Sequence, residues 1–455
     1  MADEKHIVIV GAGFSGSLMA INLLRQQGGR VTLIERDAAK IARGTAYGTR
    51  RSEHLLNVRA GNMSAYPDDP SHFLRWIEKR GEAADQFIPR KIYGQYIGDQ
   101  LAEMVRTEGE RFQLIVGEVI AADRKIAEPG FSVTLADGSS LAYDTLILAQ
   151  GNLPPGDMPV FAGLKPPLYH ADSWGSDWLS GLSAQDHIVL IGTGLTSVDV
   201  ILTLDEAGFR GKVTALSRRG LKPQAHLEKG PVVQLVDRPE GDGSHAIAHI
   251  RNRAATVGWH MAVDELRPHV QDLWRRMDRA GQGRFLRHAR PYWDVHRHRI
   301  APSVAAILER WSNEGRLEFA AGKITDVAAV QEGEPPLATI RWRVRGSEEK
   351  RAIAVSRIIN CTGPHGDIRR STDPLLGYLA QQGLIRNDVH HLGLDVDRFG
   401  GVRNVVGHVQ PDLRALGPLT KGEAWEITAV PDIRRQVWDM ARSLSNSHWV
   451  GGEGL

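Results

Sequence analysis

His6-Ile7-Val8-Ile9-Val10-Gly11-Ala12-Gly13-Phe14-Ser15-Gly16 opens the stretch HIVIVGAGFSGSLMAINLLRQQGGRVTLIE, which runs to Glu35, and the fold is decided there. The β-branched apolar run to Val10 has the composition of a short buried strand. Gly11-x-Gly13-x-x-Gly16 follows at once and opens a helical pattern, the strand-turn-helix context that a dinucleotide fingerprint needs. Gly11 permits the tight turn, Gly13 lets the backbone approach a pyrophosphate, and Gly16 lets helix pack on strand. The phosphates then sit at the helix N-terminus. Phe14 and Ser15, between the second and third glycines, belong to the same cofactor-binding turn. A second strand, Val31 to Ile34, delivers Glu35, nineteen residues after Gly16, where a carboxylate can accept from ribose hydroxyls.

The chain has 455 residues, more than one core usually supports, so two or three domains are expected. An apolar share of 42% with 24% charged residues is ordinary globular composition. A formal net charge of +2 gives no reason to invoke nucleic acid or a membrane surface. Cys361 is the one cysteine, so no redox dithiol can form within the chain and thiol-disulfide reductases are excluded. No apolar stretch approaches the roughly 18 residues of a spanning helix, and no signal peptide is visible. The simplest expectation is a soluble cytoplasmic protein.

Residues 36 to 100 read as mixed loop and helix, rich in glycine and amide groups around Gly44 to Gly48 and His54 to Ser64, and long enough to suggest function. Asp68 to Ser71 precedes a helix whose Phe73, Leu74, Trp76 and Ile77 recur at core-facing spacing. From Phe112 the pattern turns to strands, with Asp137-Gly138 as a hairpin turn. A buried strand from Thr145 ends in Gln150-Gly151.

A second nucleotide turn begins at His187 to Ile191, with Gly192-Thr-Gly194-Leu-Thr196-Ser197 opening a helix. Ser197, small enough for close packing, replaces the third glycine. The next strand, Lys212 to Ser217, runs into Arg218-Arg219 where the first unit has Glu35. Two guanidinium groups there can grip a 2′-phosphate bidentately, which favours NADPH over NADH. Residues 220 to 320 read as helical and rich in arginine, histidine and tryptophan, densest from Arg284 to Arg299. That run is too short to track a nucleic-acid backbone, and His296-x-His298 lacks the companions of a metal site, which leaves an anionic ligand, an NADP phosphate or a substrate carboxylate, or else a solvated charged helix. Strands return from Leu317, and Arg357 to Gly363 repeats the strand-into-glycine ending, making Cys361 a core thiol. Asn404 to Gly407 reads as a short strand, and Gly417 to Glu423 leads into a helix from Ala424 to Met440.

With these motifs in hand, the chain resembles the bacterial FAD/NAD(P)-binding oxidoreductases that are distant relatives of class B flavin monooxygenases, including the lysine and ornithine N-hydroxylases. The likeness rests on GAGFSG at 11–16, HLLNVRAGNMS at 54–64, IPRKIYGQYI at 88–97, GTGLTS at 192–197, RPYWDVHRHRIAP at 290–302 and GPLTKGEAWEITAVPDIR at 417–434. It implies an α/β fold of two Rossmann-like, glutathione-reductase-like domains, with the NADP domain inserted in the FAD domain. The expected segments are 1–155 and 326–455 for FAD and 185–325 for NAD(P)H. FAD would be held by Gly11, Gly13, Gly16 and Glu35, with Asn57, Met63 and Ser64 near the flavin ring and the helix after Gly422 facing its pyrimidine end. Gly151 and Gly363 close the strands beside the two nucleotides. NADPH would occupy the second turn. Phe161, Gly163, His170 and Trp174 resemble the fingerprint between the nucleotide domains of class B monooxygenases, with six residues rather than three separating Gly163 from His170.

The expected activity is therefore an NADPH-dependent monooxygenase that acts on a small amine or sulfur compound through a flavin hydroperoxide. The alternatives are a reductase serving a small acceptor or a partner protein, and a non-catalytic nucleotide sensor. No catalytic residue and no metal ligand is assigned.

Overall fold

The N-terminal apolar run is strand β1 (His6–Val10), and the glycines behind it turn into helix α1 (Phe14–Arg25). The computed structural model describes residues 5–81, 87–125, 130–156, 158–175, 177–228, 238–240, 243–330 and 337–445. In it α1 is buried from Phe14 to Leu24, as a helix without a polar face should be. β2 (Arg30–Glu35) returns parallel to β1 with Val10 opposite Ile34. α2 (His72–Lys79) buries Phe73 and Ile77 completely while Leu74 and Trp76 stay half-buried, and α3 (Arg90–Thr107) follows. β3 (Phe112–Val116) extends the sheet beyond β2.

An antiparallel meander comes next, β4 (Val119–Arg124), β5 (Phe131–Leu135) and β6 (Ser140–Tyr143). Its hairpin turns at Asp137-Gly138, as the sequence indicates. β7 (Thr145–Leu148), buried at every residue, rejoins the sheet beside β1.

The chain then repeats this logic. β8 (Tyr169–His170) leads to β9 (His187–Ile191), α4 (Leu195–Glu206) and β10 (Lys212–Ser217). The arginine-rich segment forms α5 (Gly243–Leu266), kinked at Gly258, then α6 (Val270–Arg276), α7 (Arg279–Arg284) and α8 (Arg290–Arg297). α9 (Pro302–Asn313) precedes β11 (Leu317–Val330), β12 (Leu337–Val344), β13 (Lys350–Val355) and β14 (Arg357–Asn360). The last elements are α10 (Pro374–Gln381), β15 (Gly401–Arg403), β16 (Val409–Ala415) and α11 (Val430–Leu444).

Two compact units result: one of residues 1–52, 58–153 and 366–455, the other of 53–57 and 154–365. The first holds the sheet β15-β16-β7-β1-β2-β3, parallel except for β15, and the meander. The second holds β13-β12-β11-β10-β9-β14-β8, parallel from β11 to β8. In both, a glycine turn leaves the central strand and a meander separates the third strand from the fourth. The strand residues from 326 to 360, placed in the second FAD segment by the sequence reading, lie in this second sheet, and of that segment's described strands only β15 and β16 join the first. The first core packs Val8, Leu146 and Leu148 against Phe131, Leu376 and Leu413. The second packs Val189, Leu216 and Ile358 against Trp342 and Phe161.

Two expectations fail. The expected helix from Ala424 begins only at Val430, because Pro431 presets its first turn and Glu426 adopts a positive φ of 73° that no helix continues through. Asn404 to Gly407 is a tight turn instead of a strand: Asn404 Oδ1 accepts from His408 N, and Gly407 N donates to the Asn404 carbonyl. Asparagine and glycine competed successfully with two valines there.

Candidate functional site

In the first unit, Gly11 N donates to Ile34 O at 2.8 Å, which pins the turn to β2. Gly11 has φ 99°, and a Cβ on it would stand 2.6 Å from the Ala149 carbonyl oxygen, so only glycine fits without strain. A Cβ on Gly16 would meet the Gly11 carbonyl oxygen at 1.8 Å, so the third glycine is required by packing within the turn itself. Gly13 is different, because its Cβ would meet only the Gly44 backbone, at 3.3 Å. Ala42 N donates to Ala12 O at 2.7 Å and holds the segment carrying Gly44 over the turn. Phe14 packs edge-on to Tyr47, whose buried phenol is pushed up to about 12 and stays neutral. Ser15 is buried beneath Gly417.

Glu35 is buried, and its carboxylate accepts from Ala12 N at 2.8 Å and Asp37 N at 3.2 Å. Those bonds fix both oxygens at the end of β2 and leave lone pairs for a ribose diol. The N-terminus of α1 has neither a side-chain cap nor an acidic residue in its first turn, so its amides and the positive end of the helix dipole are available to an anion. Gln150, directly after Ala149, has both amide atoms buried without a partner among the described residues, and a Cβ on Gly151 would meet nothing within 4 Å. Uncapped helix, fixed carboxylate and unpartnered amide together fit the pyrophosphate and ribose of a dinucleotide.

The second unit repeats the turn. Gly192 N donates to Leu216 O at 2.9 Å, and at φ 121° its Cβ would stand 2.4 Å from the Cys361 carbonyl oxygen. α4 is again uncapped and free of acids in its first turn. Cβ atoms on Gly194 and Gly363 would meet nothing within 4 Å. Thr196 lies in the first helical turn, and Ser197 is wholly buried with its hydroxyl on Gly194 O at 2.7 Å. The residue at the place of Glu35 is Ser217, because Ile191 pairs with Leu216 as Val10 pairs with Ile34. Ser217 Oγ accepts from Gly220 N at 2.9 Å and so turns the chain that carries Arg218 and Arg219. Arg218 is exposed, with no partner for its guanidinium among the described residues. Arg219 donates to Arg287 O at 2.6 Å and lies over the Tyr292 ring at 5.4 Å.

The remaining sequence candidates have structural partners. Asn57 clusters with the second unit, its carbonyl accepting from His226 Nε2 at 3.0 Å. Met63 is buried in the first unit, and Ser64 Oγ donates to Asp69 O at 2.6 Å, locking the entry to α2. Gly422 leads into no helix, and a Cβ there would overlap the Asp388 side chain at 2.5 Å. Phe161 stacks on Tyr169 at 4.9 Å, while His170 is buried with Nε2 on Pro167 O, and burial lowers its pKa.

Burial pushes the Cys361 thiol well up, so it stays protonated at neutral pH. Native protein is therefore expected to resist thiol reagents and to take up one label only after denaturation; rapid stoichiometric labelling of folded protein would contradict this placement.

Residues 8–153 match the model of a family described as FAD-NAD(P)-binding. None of the curated proteins matches the chain. Among solved structures it is similar to the reduced ornithine hydroxylase of Pseudomonas aeruginosa, at TM-score 0.65 and 16% identity over 97% of this chain and 99% of that one. The ornithine N-hydroxylase of Kutzneria sp. 744, with reduced FAD, NADP+ and L-ornithine, gives 0.65 and 14% over 97% and 98%. The cadaverine monooxygenase of Erwinia amylovora, bound to FAD, gives 0.70 and 13% over 97% and 94%. The chain thus has the α/β, glutathione-reductase-like fold of two Rossmann-like domains, and its N-terminal module is FAD-NAD(P)-binding.

Proposed function

We propose that this chain is an FAD-dependent NADPH oxidoreductase, a monooxygenase acting on a small substrate with a nucleophilic amine or sulfur. The observation that carries the reading is the duplicated turn: two glycine loops, each ahead of an uncapped, acid-free helix, one beside a fixed carboxylate and the other beside an open arginine. The first turn receives the FAD pyrophosphate on the α1 amides, with Gly13 as the close-approach residue, Glu35 toward the ribose, and Gln150 and Gly151 at the adjoining strand end. Gly192, Gly194, Thr196 and Ser197 receive NADPH, with Gly363 beside them, and Arg218 meets its 2′-phosphate.

FAD, when bound, supplies the two-electron redox chemistry for which this chain, with one buried cysteine, carries no dithiol. What the polypeptide contributes is orientation of the two nucleotides and exclusion of water. The amine preference is supported by the solved relatives, whose named substrates ornithine and cadaverine carry primary amines. A reductase serving a dissociable acceptor is the second reading, favoured by the spacing of Gly163 and His170, which departs from the class B monooxygenase fingerprint.

Purified protein is expected to be yellow, to bleach with NADPH under nitrogen, and to recover its colour when air is admitted. Adding primary amines such as ornithine or cadaverine should then couple oxygen use to product and suppress peroxide release. Bleaching that persists in air but is relieved by quinones would instead establish the reductase, and colourless protein that never oxidises NADPH would end both readings.

A further inference from the structure

We propose that Tyr292 and Arg345 complete the nucleotide site at the end of β10, Tyr292 as the platform for the adenine and Arg345 as a second guanidinium for the 2′-phosphate. The inference rests on reading the second turn as an NADPH site and gives a role to Arg345, which no motif marks, and to Tyr292, which lies in the stretch 290–302. Arg345 lies in the turn after β12, where its Nη1 is 3.5 Å from the Arg218 carbonyl oxygen. Arg341, Arg343 and Arg351 on the same hairpin each pair with a carboxylate. Arg345 and Arg218 have none among the described residues, although both are exposed. Two arginines without a carboxylate partner, one of them reaching the backbone of the other at a strand end, form a place for a dianion, and planar forks suit a phosphate better than a point charge does.

Tyr292, on α8, is 48% exposed, an unusual position for a large ring with no packing duty on its outer face. One face carries the Arg219 guanidinium, which is itself fixed by the Arg287 carbonyl. The outer face has no ring partner among the described residues, and an adenine can stack there. Arg219 is then a positioning residue: it holds the platform and leaves the phosphate to Arg218 and Arg345.

The test uses the full-length protein as purified, with adenosine 2′,5′-bisphosphate and 5′-AMP as probes in calorimetric titrations that need no turnover. Wild type is expected to prefer the bisphosphate. Arg345→Ala should weaken the bisphosphate by about tenfold and spare AMP, as loss of one charge-assisted contact does. Tyr292→Ala should weaken both by about tenfold, the worth of one stacked base, and Tyr292→Phe should weaken neither. Arg219→Ala should act like Tyr292→Ala and add nothing to it in the double variant, whereas additive losses would overturn its positioning role. If wild type discriminates but Arg345→Ala and Tyr292→Ala bind as wild type, the inference is overturned while the NADPH reading stands. If wild type binds neither probe and no NADP+, the reading of the second turn fails as well.

Discussion

Gly11→Val protein is expected to purify in low yield, colourless, and at least about 3 kcal/mol less stable than the parent, whereas Gly13→Ala is expected to melt close to the parent and yet lose its flavin on gel filtration. At position 11 a β-branched residue meets two penalties. Its φ of 99° lies where such side chains are true outliers, worth about 1–3 kcal/mol, and its Cβ would press to 2.6 Å from the Ala149 carbonyl oxygen. Relief requires β1 and β7 to separate, and their pairing, Val10 against Leu148, is the centre of the first sheet. At position 13 the added methyl meets only the Gly44 backbone at 3.3 Å, a strain that a shift of a few tenths of an ångström relieves. The same methyl would stand where a pyrophosphate must approach. The ratio of flavin to protein absorbance and a thermal melt separate the two effects. Full flavin content in Gly13→Ala would show that the pyrophosphate does not lie against this residue.

That contrast also marks what could be read from the chain. Periodicity and the glycine spacing gave the central strands, the helices behind them and the hairpin at Asp137-Gly138, because these depend on neighbours in sequence. Gly11 and Gly16 could be named as turn residues for the same reason. Their true counterparts could not: the Ala149 carbonyl that excludes a side chain at Gly11 is supplied by sheet order, and Gly44 reaches Gly13 through a loop of irregular backbone.

Arg218 and Arg219 looked equivalent on paper. Folding separates them, because the Arg287 carbonyl and the Tyr292 ring claim only the second. Arg345 carried no signal at all, being one arginine among many until its hairpin neighbours are seen to be paired. The late start of α11 was legible in Pro431 but was overridden by an apolar run from Ala424 that merely looked helical.

Arg357→Ala should lower the melting temperature by roughly 5–15 °C and weaken NADP+ binding while leaving the flavin content intact. Arg357 begins the fully buried strand β14 and is 7% exposed. Its guanidinium donates to the carbonyls of Trp178 and Ser180, the latter at 2.7 Å, tying the turn that follows β8 to the strand. Burial pulls its pKa below the ordinary arginine value, and the charge of Asp186 offsets part of that loss. Truncation leaves two carbonyls without donors and a void where the stem lay, together about 2–5 kcal/mol.

The consequence reaches the second nucleotide turn through register. Arg357 pairs with Ile188 and Asn360 with Ile191, Cys361 N bonds Ile191 O at 2.9 Å, and the Cys361 carbonyl walls the position where Gly192 turns. A strand end that can shift no longer holds that wall. Arg357→Met, which keeps much of the volume and abolishes the buried charge, should recover part of the stability by relieving desolvation, yet it leaves the same carbonyls bare. A melt of Arg357→Ala within a degree of the parent would mean that water satisfies the Trp178 and Ser180 carbonyls once the side chain is gone. The cation would then be a tolerated burial and not the tie that holds β14 in register.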